Sequence, residues 1–465
     1  MSVTEELHPR SMYRFNRIAN CSFLGQQIGC GNVKGGGMNV HDVFGIQPAV
    51  QEHSYIDRGN LDQALRKLLD RKQTHVAIRG ASKSGKSWLR QRVLDNPIVI
   101  QCRFNYTTTD IYKDALSRLD ILLETERTSS RTFGGKITAS GEAGMKLLAK
   151  VQGGGEANYS DVSTTKNQSV GKDATDLEFV AALIRESGRT LVIEDFHYLP
   201  EPEQKKFSFD LKTLWDYRTF VVVVGVWISS NMLITLNTDL SDRIEELSVT
   251  WSDGELGNVL DKGCRALNLR MKREIKAQLA EISYGSVGLL QKLALRYIDD
   301  ELGITQSAPD GAEIVLEDTS KVQDAAMHVA DQLNQLYQNF ARRVSEGIRK
   351  RNNATGIYAH AMSAIMAADD KSLTDGYSAK SIHAAAHARQ SRIQLPNLKT
   401  VLLKFAQLQV DEDGRGLVLA YDSQNELISV VDRQLLLYRR FATIRWPWEE
   451  IIAEVGEAEG GYEAE

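Results

Sequence analysis

The residues best equipped for chemistry form one short run, Gly80-Ala81-Ser82-Lys83-Ser84-Gly85-Lys86-Ser87, which fits the spacing GxxxxGK[ST]. Its glycines let the backbone wrap around a polyphosphate, whose charge is met by exposed N–H groups and the start of a following helix. Gly80, Ser82, Lys83, Ser84 and Gly85 are expected to form this cradle. Lys86 is expected at the β- and γ-phosphates, and Ser87 on Mg²⁺. The ligand predicted is therefore ATP with Mg²⁺. An apolar run, His75–Arg79, leads into the loop, and a helix beginning near Gly85 leads out of it.

Such a loop needs acidic groups to hold the metal and orient water. Leu191-Val192-Ile193-Glu194-Asp195 supplies two, about a hundred residues downstream. The apolar residues bury a strand, and the carboxylates emerge at its carboxyl end. Register places Glu194 on the metal side and Asp195 on the attacking water. The usual order is Asp then Glu, so the reversal leaves those roles open to exchange.

These groups must be carried by a framework. Apolar β-type runs at His75–Arg79, Ile98–Phe104, Thr190–Asp195, Phe220–Trp227 and Leu247–Trp251 alternate with helical segments. This rhythm predicts an α/β parallel sheet, and Val-rich strands without alternation predict helices on both faces. The ATPase core is set at 51–252, preceded by a mobile arm at 1–50. Within the core, 128–173 is read as a flexible insertion because its eight glycines and many Ser and Thr offer little burial. Its fragment Lys136 to Val151 has enough apolar residues to become ordered on a partner. A helical lid is expected at 253–303, and a linker with one long helix at 304–354. Val322, Ala325, Val329, Leu333, Leu336, Phe340 and Val344 mark that helix by their 3- and 4-residue steps. In 355–445 three short helices precede a hairpin, read as Leu408–Val410 and Leu417–Tyr421 around Asp411–Gly416. This is the winged-helix order. An acidic tail, 446–465, closes the chain and is read as disordered from Glu454.

The 465 residues carry 56 Lys and Arg against 61 Asp and Glu, a net charge of -5, so the chain as a whole does not advertise nucleic-acid binding. Its most apolar run, Val221 to Ile228, is too short to span a bilayer, and no membrane partner is expected. Four cysteines (Cys21, Cys30, Cys102, Cys264) fit no zinc spacing and read as reduced thiols of a cytoplasmic protein.

At this level the chain resembles the AAA+ class of P-loop ATPases. More narrowly, it is similar to replication initiators and transposon-regulating ATPases, several of which carry a C-terminal winged helix. The resemblance rests on Gly80–Ser87, on LVIED at 191–195, on the Val-rich strand after it and on the lid. It implies a P-loop NTPase sheet with a helical lid followed by an α+β winged-helix domain. It also implies an ATP-driven switch that assembles head-to-tail with itself, often on DNA. A polar residue after Phe220–Trp227 would contact the γ-phosphate; Ser229, Ser230 and Asn231 qualify, with Asn231 favoured. Arg243 falls where the class places an arginine finger, the alternative being a salt bridge with Asp239 or Glu246. Gly285-Ser286-Val287-Gly288 falls where many relatives have Gly-x-x-Arg. The arginine is missing here, which argues against fast hydrolysis and brings the transposon-type ATPases nearer.

A local basic stretch survives the overall charge. Residues 331–408 hold eleven basic and five acidic side chains. In a winged helix the third helix, here Leu395–Leu408, enters the major groove and the wing meets the backbone. Asn397, Lys399, Thr400 and Lys404 on that helix and Arg415 in the wing are the residues assigned to double-stranded DNA. Asp411, Glu412 and Asp413 stand beside Arg415 and would repel phosphate. The competing function is a signalling NTPase that senses a protein and uses its winged helix for docking or autoinhibition. No protease, nuclease or NADase constellation is visible, so effector chemistry is assigned to a separate partner. His383 and His387, one helical turn apart, read as helix-face residues rather than metal ligands.

Overall fold

The computed structural model describes residues 37–124, 136–153, 176–227, 230–347, 355–410 and 416–460. After a short helix, α1 (Val40–Phe44), and α2 (Leu61–Arg71) come β1 (His75–Arg79), α3 (Lys86–Val93), β2 (Ile98–Gln101) and α4 (Thr108–Ser117). A two-stranded hairpin, β3 (Ile121–Glu124) with β4 (Lys136–Ala139), leads to α5 (Gly141–Gly153) and α6 (Leu177–Glu186). Then follow β5 (Leu191–Glu194), α7 (Glu201–Asp216), β6 (Val221–Gly225), α8 (Met232–Leu236) and β7 (Ile244–Ser248).

Strands β2, β5, β6, β1 and β7, in that order, form one parallel sheet. Side chains alternate across its faces. Val76, Ile78, Val192, Val222 and Val224 pack on one side with Leu65 and Leu68 of α2 and Leu89 of α3. Ala77, Ile100, Ile193 and Val223 pack on the other with α4, α6 and α7. Burial on both faces is why the strands read as unbroken Val and Ile. Every residue of β6 is buried.

The lid comprises α9 (Asp253–Ala266), β8 (Leu269–Met271), α10 (Arg273–Ile282) and α11 (Val287–Leu295). After β9 (Ile314–Leu316), which pairs with β8, the 27-residue α12 (Ser320–Glu346) begins. The C-terminal unit holds α13 (Ile357–Met366), α14 (Asp370–Asp375), β10 (Tyr377–Ser378), α15 (Ala379–Arg389) and α16 (Leu395–Gln409). It ends with β11 (Leu419–Asp422), β12 (Leu427–Val430), α17 (Gln434–Phe441) and α18 (Pro447–Gly460). The order β10-β12-β11 makes a small antiparallel sheet.

Several boundaries differ from the sequence reading. The hairpin joins 419–422 to 427–430, and Leu408 and Gln409 close α16 instead of forming a strand. Of the supposed insertion, 136–153 forms β4 and α5, whose Leu147, Leu148 and Val151 pack on the main core; 125–135 and 154–175 lie outside the described residues. Within the supposed arm, Val40, Val43 and Phe44 of α1 are fully buried in the lid. Helix α18 continues to Gly460, where a disordered tail was expected. Most consequentially, α12 is no linker. Val322, Val329, Phe340 and Val344 lie in one continuous core that runs from the lid into the C-terminal unit.

Candidate nucleotide site

The loop of residues 80–85 leaves the carboxyl end of β1 and enters α3 through Gly85, whose φ of 90° lies in the left-handed region that only glycine adopts easily. Lys86 is nearly buried, and its Nζ donates to the loop's own carbonyls, Gly80 O at 3.1 Å and Ala81 O at 2.7 Å. Burial pushes its pKa down to about 8, against the opposing pull of Asp195 and then Glu194. The Ser84 Oγ is buried with no hydrogen-bond partner among the described residues. Its carbonyl accepts from Arg58 at 3.2 Å and from the Trp251 indole at 2.8 Å, while the Arg58 guanidinium lies 3.8 Å from the Trp251 ring centre. Ser87 is exposed in the first turn of α3.

The acidic strand runs beside the loop. Glu194 is buried and ion-paired with Arg90 of α3 at 2.8 Å. Asp195 follows with a φ of 57°, and of the two it acts more strongly on Lys86. An exposed hydroxyl and two carboxylates make an all-oxygen donor set suited to Mg²⁺, and the loop's amides and lysine suit a polyphosphate. The chain's residues therefore fit both groups.

Two residues at this edge escaped the sequence reading. His197, on the tight turn Phe196–Tyr198 after Asp195, accepts the Val226 N–H through Nδ1 at 3.3 Å. Burial, with a smaller push from the Lys86 charge, lowers its pKa to about 3. Lys292 lies one helical turn beyond Gly288 on α11, its pKa lowered first by burial and then by Lys83, with Asp432 opposing. Gly288 itself donates its N–H to Lys83 O at 3.0 Å, and a Cβ there would come within 2.9 Å of Lys83 Cβ. Close approach of lid to loop thus explains why no arginine stands at that position. Neither GxxxxGK[ST] nor LVIED includes His197 or Lys292; the only signal was their closeness in sequence to Asp195 and Gly288.

The C-terminal unit also touches the loop. Ser82 N donates to Val431 O at 3.4 Å, and the backbone of Gly416 and Leu417 lies close enough to the Tyr198 hydroxyl to oppose the rise in its pKa that burial causes. Ser423 Oγ donates to Glu201 at 3.0 Å, and Arg440 pairs with Glu281 of the lid at 2.7 Å.

The remaining assigned residues are placed as follows. Ser229 lies outside the described residues. Ser230 and Asn231 are exposed; Ser230 Oγ accepts from Arg79, and Asn231 N–H donates to Glu246 Oε2 at 3.1 Å. Arg243 lies at the opposite edge of the sheet, where its carbonyl accepts from His75 N. It makes neither expected salt bridge. Its guanidinium sits 4.8 Å from the Trp215 ring centre and donates to the Asp239 carbonyl, while Glu246 is paired with Arg79. On α16, Asn397, Thr400 and Lys404 are exposed, but Lys399 is ion-paired with Glu426, which removes one cation from the face assigned to DNA. Arg415 lies outside the described residues. His383 Nε2 and His387 Nδ1 both meet the Ile393 carbonyl, at 3.1 and 2.9 Å.

Strand order, phosphate loop, acidic strand and helical lid together define the P-loop NTPase fold in its AAA+-like form. No protein-family model and no curated protein matches the chain. Among solved structures, a Walker-type ATPase of Pyrococcus abyssi is similar at 15% identity and a TM-score of 0.49, covering 86% of this chain and 99% of its own. Cdc6p from Pyrobaculum aerophilum is similar at 11% identity and 0.37, covering 90% and 97%. A STAND protein of Pyrococcus horikoshii is similar at 12% identity and 0.34, covering 86% of this chain and 44% of its own. At such values the functional reading rests on the geometry of the chain itself. No helix among the described residues is long and apolar enough to cross a membrane.

Proposed function

We propose that this chain is a Mg²⁺- and ATP-dependent switch whose C-terminal unit, a winged helix built from α13, α15, α16 and the small sheet, rests on the phosphate loop until ATP displaces it. The observation that carries the reading is the Ser82 N–H given to Val431 O. A loop amide suited to phosphate is held by a carbonyl of the chain itself. The next residue, Asp432, brings a carboxylate whose charge reaches Lys292 and Tyr198. An arriving γ-phosphate would meet that negative charge and compete for the same donors. ATP and the docked unit therefore oppose each other.

Bound ATP supplies the phosphoanhydride, and Mg²⁺ would be held by Ser87 with Glu194 or Asp195, the other carboxylate orienting water. Hydrolysis would return the unit to its docked position. Head-to-tail assembly with Arg243 acting in a neighbour's site, and DNA on the Asn397, Thr400 and Lys404 face, extend the proposal to partners. A separate effector would read the released unit.

Hydrogen exchange tests the core of it. Addition of a non-hydrolysable ATP analogue with Mg²⁺ should speed exchange of the Gly416 and Leu417 amides, and ADP should not. Asp432→Asn, which keeps the acceptor for Tyr337 but drops the charge, should tighten ATP binding several-fold. Unchanged exchange on saturation with the analogue would remove the switch.

A further inference from the structure

We propose, resting on the ATP reading above, that His197 is the group through which this chain distinguishes ATP from ADP, donating Nε2–H to the γ-phosphate, and that Tyr198 passes the result to the C-terminal unit.

The argument begins with the tautomer. Nδ1 of His197 accepts the Val226 amide proton, so it carries none of its own. A neutral imidazole has one proton to place, and here it must be on Nε2. That nitrogen makes no hydrogen bond among the described residues, although the side chain is only partly exposed. His75 provides the contrast: its Nδ1 accepts from Val221 N and its Nε2 donates to Leu211 O, so nothing is left over.

Position supplies the second part. The turn Phe196–Tyr198 starts immediately after Asp195 and packs on the carboxyl end of β6, where a Cβ on Gly225 would lie 3.4 Å from His197 N. The Lys86 charge acts on the ring, which sets His197 within electrostatic reach of the phosphate loop. A neutral donor suits this place. The loop already holds two ammonium groups, Lys83 and Lys86, and a further full cation would be repelled, whereas a fixed N–H dipole aimed at charge on a phosphoryl group needs no reorganisation.

The neighbouring residue gives the contact a consequence. The Tyr198 ring lies 4.6 Å from the His197 ring, and the Gly416 and Leu417 backbone acts electrostatically on its hydroxyl. One three-residue turn thus holds, at its second residue, a ring within electrostatic reach of Lys86 and, at its third, a hydroxyl beside the C-terminal unit. A small rotation of the turn toward the γ-phosphate would alter that approach.

Two substitutions separate sensing from folding. His197→Asn retains an acceptor near Nδ1 and loses the Nε2 donor; His197→Gln extends an amide donor to about the Nε2 position. Calorimetry should find ADP affinity little changed in both. Affinity for a non-hydrolysable ATP analogue should fall about 10- to 100-fold in the Asn chain, as expected for a hydrogen bond to a charged group, and should be largely restored in the Gln chain. Tyr198→Phe should keep the wild-type preference for the ATP analogue while exchange at Gly416 and Leu417 no longer depends on which nucleotide is bound. An Asn chain with the wild-type ratio of ATP to ADP affinity, or one that loses both equally, overturns the proposal. Wild-type protein that binds neither nucleotide overturns the parent reading instead.

Discussion

The two edges of the central sheet treat their polar groups differently. At the amino edge, His75 is fully buried and both ring nitrogens have protein partners, while Trp215 donates to the Gln73 carbonyl and stacks on Arg243, whose Nε is buried without a hydrogen-bond partner among the described residues. At the carboxyl edge, Lys86 leans on its own loop, the Ser82 amide is held by Val431, and the Ser84 hydroxyl has no partner among the described residues. Both edges are well packed. What differs is what the donors lean on: at the carboxyl edge a lysine and a loop amide are held by carbonyls that a ligand could replace, while at the amino edge His75 is tied on both sides to the sheet and α7. A binding site is recognised here by donors with replaceable partners, more than by burial or charge.

That contrast can be broken by experiment, beginning where the effect should be greatest. Lys86→Ala should weaken ATP binding by on the order of 10²–10³-fold, since it removes a preorganised cation from a charged ligand, with the melting temperature little changed. Calorimetry and thermal unfolding read the two quantities, and a large drop in stability without loss of binding would reverse the assignment of the edges. Next comes the amino edge under acid. Burial lowers the pKa of His75 to about 4 from the ordinary 6.5, so the unfolded chain binds its proton first. The stability this histidine contributes is complete above pH 6.5 and is lost as pH falls toward 4. The loss should total about 3 kcal/mol, visible in denaturant unfolding across that range and absent from a His75→Asn chain.

A smaller effect belongs to the carboxyl edge at high pH. Burial sets Lys86 at about 8 before ligand arrives. Above that value the free protein must take up a proton to bind ATP, so affinity should fall by up to about tenfold per pH unit. Calorimetry in buffers of different ionisation enthalpy should register the proton uptake. The least change is expected from Arg243→Ala. Loss of its stacking on Trp215 should cost about 1 kcal/mol or less, with ATP binding intact. If the residue serves a neighbouring subunit, this variant alone should lose the rise in hydrolysis per subunit that accompanies increasing protein concentration.

The phosphate loop and the acidic strand were legible in the sequence because both are local: GxxxxGKS and LVIED each carry their chemistry within a few residues. The four sheet strands with Val- and Ile-rich cores were legible for a similar reason, although β7 starts at Ile244 rather than Leu247. The hairpin was not. Leu408 and Gln409 suit a strand or a helix equally, and tertiary packing decides: Gln409 is fully buried, and its amide meets Val418 and Leu419 from the helix. Likewise the apolar residues of 136–151 were legible, but not the surface that would order them: Leu147, Leu148 and Val151 pack on the main core of the chain itself instead of on a separate partner. His197 was invisible because its meaning depends on Val226 and Lys86, neither adjacent in sequence.

The continuous packing along α12 gives the molecule a mechanical property. At 1.5 Å per residue its 27 residues span about 40 Å. One end is seated among the lid helices and the other among α13, α16 and α17. Interiors packed this densely transmit displacement instead of absorbing it, so a tilt imposed at the lid end, with the chain between β7 and α9 as fulcrum, would be carried to the C-terminal unit. Over such a length, a tilt of about 10° at the fulcrum moves the far tip by roughly 7 Å. Such a helix would act as a gear: a small tilt at the lid would become a stroke of that width at the C-terminal unit.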